Sequence, residues 1–156
     1  MYVCSPLHAL MNASFIALGL LTAAGAVLTW PAWPRRRLTA LSLALVVLSG
    51  VCVIVIGLAP ENVAPEVHTL AALVQVPVQL AGMVGLAIVA WRPWRGAAIW
   101  SLVCVAVAVF GNVLFFSGQY LGVGIGGAER LSLEPLTVWT IGLGAGLIRP
   151  SAKRSD

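Results

Sequence analysis

The sequence predicts an all-α integral membrane protein, a helical bundle in which residues 1–156 form a single transmembrane domain of five helices. Three observations carry that prediction. Of the 156 residues 60% are hydrophobic and only 9% are charged, and the mean hydropathy is +1.00, which is too apolar for a water-soluble domain of this length. The apolar residues gather into five runs, at about 11–30, 38–58, 68–91, 97–116 and 131–148. A helix of roughly 20 residues at 1.5 Å per residue matches the ~30 Å hydrocarbon layer. Finally, short basic clusters and acidic loops alternate between the runs, as they do in a chain that crosses a bilayer repeatedly.

The first run, Met11 to Trp30, places Asn12, Phe15, Gly19, Thr22 and Ala26 on one face, a polar and small surface suited to contact with another helix. Trp30, Pro31, Trp33 and Pro34 end it, and Arg35, Arg36 and Arg37 follow, which is the chemistry of a membrane boundary. The second run carries Ser42 and Ser49 a heptad apart, with Gly50 and Gly57 as small contacts. Serine inside a span usually bonds its own backbone, so neither serine is assigned a role. The loop from Ala59 to Val67 holds Glu61 and Glu66 and no basic residue. Pro65 suits the first turn of the next helix, and Glu66 suits the positive end of its dipole.

In the third run His68, Gln75 and Gln79 share a helical face, because offsets of seven and four residues return to the same side. Pro77 lies between the two glutamines and predicts a kink with a freed carbonyl. Arg92, Trp94 and Arg95 form a second basic turn, and the fourth run bears Ser101 and Asn112. The stretch from Ser117 to Glu134 is glycine-rich and reads as a flexible loop in its first half. The fifth run pairs Gly142 with Gly146 in a close-packing G-x-x-x-G pattern.

Arg35 to Arg37, Arg92 with Arg95, and the C-terminal Arg149, Lys153 and Arg154 are separated by two spans each, so all three clusters fall on one side. The positive-inside rule makes that side cytoplasmic, with the N-terminus outside, as in a bacterial inner (plasma) membrane protein. The net charge of +4 is spent on these boundaries and forms no basic stripe, so nucleic acid is not an expected partner. Membrane lipids are, as are a second copy of the chain or another membrane protein. Cys4, Cys52 and Cys104 are scattered and form no C-x-x-C, which argues against a disulfide framework, a thiol redox site or a cysteine zinc site.

The segment SPLHALMNASFIALGLLTAAGA, the G-L-A-P-E-N with the following His68, and G-x-G-x-G-G-A-E-R ahead of a span containing Trp139 resemble the prokaryotic membrane proteins of the domain of unknown function 998 family (DUF998). The resemblance covers essentially the whole chain and rests on Asn12, Pro60, His68, Glu129, Arg130 and Trp139. It implies a six-span bundle with a further helix ahead of Met1, and no activity to carry over.

On this topology His8, Asn12, Glu61, Glu66, His68, Asn112, Glu129, Arg130 and Glu134 collect at the outer end. Ionisable groups at membrane depth are costly, so their collection marks a candidate site. The candidate polar pocket comprises His68, Glu129, Arg130, Asn12, Gln75, Gln79, Asn112 and Glu61, with Arg130 as a planar fork for a lipid phosphate or small anion. Against it stands the plainer reading, in which loop charges are solvated, His68 anchors a helix and the chain is a membrane scaffold or partner subunit. A small transporter would use Gln75, Pro77 and Gln79 to line a path. A membrane hydrolase needs more ligands than His8, His68 and scattered carboxylates supply, and no H-E-x-x-H is present. Two histidines on one side allow at most one haem. The glycines at 122, 124, 126 and 127 follow no strand, so they are not read as a nucleotide loop. No catalytic residue, metal or cofactor is assigned.

Overall fold

The computed structural model of the protein describes residues 6–148, which form five α-helices and no strand. They are α1 (His8–Thr29), followed by a 3₁₀ turn at Trp30–Ala32, then α2 (Arg37–Leu58), α3 (Pro65–Ala90), α4 (Arg95–Ser117) and α5 (Gly124–Ile148). Among the described residues four segments, His8–Ala32, Arg37–Leu58, Pro65–Ala90 and Arg95–Ser117, are long and apolar enough to cross a membrane. Cys4 and the C-terminal basic cluster lie outside the described residues.

The expected helices are present, with earlier starts. α3 opens on Pro65 with Glu66 in its first turn, where proline's missing N–H costs nothing and a carboxylate meets the positive dipole end. The larger difference is in α5, expected from about Leu131 and observed from Gly124. Gly126 and Gly127, read from sequence as flexible loop, are helical. Ala128, Ser132, Leu136 and Trp139 recur at helical spacing and are all buried, so docking of this stripe outweighs the roughly 1 kcal/mol that each glycine costs a helix.

The chain divides into two compact units, residues 1–89 and 90–156. In the first, α1 and α2 cross on glycine. A methyl group at Gly50 would fall 2.7 Å from the Gly19 carbonyl oxygen, and one at Gly57 would fall 2.7 Å from that of Asn12. Gly19, Thr22 and Ala26 are the buried residues of α1, as the small face of its sequence predicts. On the other side of α2, Ser42 faces Gly82 and Gly85 of α3, where a methyl group at Gly82 would lie 2.9 Å from the Ser42 carbonyl oxygen. Lipid tails are as apolar as leucine, so such close backbone approach, and the dispersion it gains, is what holds helices together in a bilayer.

The second unit is built the same way. Gly111 of α4 lies directly on the α5 backbone at Leu131 and Ser132, flanked by the fully buried Ala108 and Ala128. Trp139 on α5 donates its indole N–H to Ser101 Oγ at 2.8 Å, and Ser101 donates to the Ala97 carbonyl at 2.8 Å. Gly142 packs beneath the Trp100 indole, while nothing approaches Gly146, so only the first glycine of the G-x-x-x-G pair makes a helix contact among the described residues. α4 ends on Gly118 at φ +70°, the left-handed conformation that closes a helix without a Cβ penalty.

Candidate functional site

In the first unit the polar side chains on α2 and α3 meet inside the bundle. Ser49 donates to Gln79 Oε1 at 2.6 Å, and Gln75 Nε2 donates to the same oxygen at 2.9 Å and to Ser49 Oγ at 3.4 Å. All three are buried: Ser49 is 0% exposed, Gln75 4% and Gln79 3%. Gln75 and Gln79 flank Pro77, which has no N–H for the carbonyl four residues back. Their side-chain bond therefore straps the turn that proline weakens. Ser49, assigned no role from sequence, is the cross-helix partner. Its signal was the shared small and polar stripe with Ser42, Gly50 and Gly57, which becomes readable only once α3 is known to lie against it.

His68 stands apart from that trio. Its Nδ1 lies 3.1 Å from the Ala59 carbonyl oxygen, and with that nitrogen as the N–H donor the imidazole ties the C-cap residue of α2 to the first turn of α3. A histidine donor at the negative end of a helix is favourable. Glu61 is exposed in the intervening turn, and Asn12 lends its backbone carbonyl to the contact with Gly57.

The second unit holds the remaining candidates. Asn112 donates to the carbonyl of Ala108 in its own helix at 2.8 Å. Glu129 is exposed on α5. Arg130 and Glu134, one helical turn apart, make an ion pair of 3.4 Å with side chains 78% and 56% exposed. That length and exposure, with the arginine rather than the acid at the N-terminal position, describe a loose pair worth under about 0.5 kcal/mol in water.

Arg130 and Glu134 border a groove of about 520 Å³ between α4 and α5. Its walls are Trp100, Val103, Cys104 and Val107 from α4, and Leu131, Pro135 and Val138 from α5. The groove is therefore apolar, and of the candidate pocket residues Arg130 alone borders it. Depth follows from the helix contact. Gly111, which touches Leu131 and Ser132, lies six residues before the end of α4 at Ser117, or about 9 Å along the axis. The pair consequently sits one to two turns inside the apolar length of α4. Trp100 Nε1, on the same wall, is buried with no hydrogen-bond partner.

Among the described residues no three His, Cys, Asp or Glu side chains gather closely enough to hold one metal ion. The model of one protein family, described as a protein of unknown function (DUF998), matches residues 2–146. No curated protein and no solved structure matches the chain.

Proposed function

The chain belongs to the DUF998 family, and from that premise we propose that it is a multi-pass membrane protein that binds a phospholipid in the α4–α5 groove. One observation carries the reading: an apolar groove of about 520 Å³ is bordered by a loosely held Arg130–Glu134 pair below the end of a membrane-length helix. The volume lies within the roughly 300–1,000 Å³ of ligand sites. A groove walled by valine, leucine and proline takes an acyl chain, and an exposed guanidinium takes the phosphate above it. A charge at this depth without such a ligand would have to reach up to the headgroups or draw water down. The basic turn at Arg92 and Arg95, at the opposite end of α4, supports a reading in which this end faces the extracytoplasmic side.

Native mass spectrometry of the protein released from native-membrane nanodiscs tests the reading. Wild type is expected to carry a phospholipid adduct that Arg130→Ala loses and His68→Ala keeps, since His68 is occupied at the end of α2. Equal retention of the adduct by Arg130→Ala would end the proposal.

A scaffold role is the second reading, favoured by the glycine crossings and by the Ser49–Gln75–Gln79 trio. On it the groove holds a helix of another copy or of a partner subunit.

A further inference from the structure

The charge arrangement in the groove carries a headgroup choice. Resting on the phospholipid reading above, we infer that the α4–α5 groove selects a phospholipid whose headgroup ends in a primary ammonium, with its phosphate on Arg130 and its ammonium on Glu134. Three features lead there. Both side chains border the same groove with their apolar stems, which leaves their charged ends exposed at its rim. They are opposite in sign and one turn apart, about 5–6 Å along the helix, close to the spacing of the phosphate and ammonium in an ethanolamine headgroup. Their mutual bond is long and exposed, so exchanging it for two ligand contacts forfeits little.

The hydrogen-bond inventory separates the alternatives. An anionic glycerol headgroup offers its phosphate to Arg130 but only neutral hydroxyls to Glu134, so the ligand brings the carboxylate no cation of its own. A choline headgroup has the charge but no N–H to donate. A primary ammonium has three donors, and a charge-assisted N–H to carboxylate contact is about twice as strong as a neutral one. Glu134 is therefore the discriminating residue, and Arg130 the one that retains any phospholipid. The apolar wall from Pro135 to Val138 and Trp100 receives the chain whatever the headgroup.

The test uses the full chain in nanodiscs of equimolar phosphatidylethanolamine, phosphatidylglycerol and phosphatidylcholine with identical acyl chains, read by native mass spectrometry. Wild type is expected to enrich the ethanolamine lipid over each of the others on the order of fivefold to tenfold, the scale of the difference between a charge-assisted and a neutral hydrogen bond. Glu134→Gln, nearly isosteric, is expected to keep a lipid adduct and lose the enrichment, and Glu134→Asp to retain part of it. If Glu134→Gln retains the full enrichment, or if wild type binds the three lipids equally, the headgroup inference is overturned while lipid binding stands. The absence of any adduct from wild type would overturn both.

Discussion

Gly111→Leu is expected to unseat α5 from α4 and to cost about 3 kcal/mol or more, near the upper range for overpacking a tight contact. The α5 backbone at Leu131 and Ser132 occupies the place where the new side chain begins. Backbone cannot rotate away as a flexible side chain can, so the helices must separate. Separation also breaks the 2.8 Å bond from Trp139 to Ser101 and opens the groove that the two helices wall. Gly144→Leu provides the comparison, because nothing lies within 4 Å of a methyl group there. Replacing a helical glycine at an open position should be neutral or slightly stabilising. Unfolding of the purified protein by a denaturing detergent measures both, and similar losses for the two variants would show that close approach at Gly111 does not hold this unit together.

Gln79→Leu should give the next largest loss, roughly 2 kcal/mol. Its side-chain oxygen accepts from both Ser49 and Gln75, so one substitution removes two hydrogen bonds. Interhelical bonds in membranes average about 0.6 kcal/mol and reach nearly 2, and a buried donor left without a partner adds about 1–3 kcal/mol. Ser49→Ala should cost less, since Gln75 keeps its bond to Gln79 and the methyl group fills most of the space. The double variant should lose less than the sum of the two singles, because both remove the same Ser49–Gln79 contact. Strict additivity in the same unfolding assay would mean that the contact contributes nothing.

The contrast between Ser49 and Gln79 marks how far this molecule can be read from its sequence. Helices α1 to α4 were legible because bilayer thickness imposes a length and interfacial Trp and Arg punctuate it, as at Trp30–Arg37 and Trp91–Arg95. Gly50 and Gly57 were legible as contacts because small residues at heptad spacing have few other uses in a span. Gln75 and Gln79 stood out as amides in an apolar run. Their partner Ser49 did not, because a serine can satisfy itself on its own helix, as Ser101 does with Ala97. The start of α5 was missed for a related reason: glycine's local preference opposes helix, and the docking of Ala128 and Ser132 on α4 overrides it. Arg130 was read as an anion fork, but its setting on an apolar wall depends on where Trp100, Cys104 and Val107 of α4 come to lie.

The proposal that this groove is a lipid site is tested most directly by a photo-crosslinking side chain at Val103, on the groove wall, with Leu28 on α1, 78% exposed, as the reference position. After irradiation of whole membranes and purification in detergent, the Val103 probe is predicted to carry a phospholipid of restricted headgroup, diminished by Arg130→Ala, while Leu28 carries the membrane's mixture in either background. Protein adducts at Val103 in place of lipid, or a lipid mixture there that matches Leu28 and ignores Arg130, would contradict the account and assign the groove to a partner helix or to bulk bilayer.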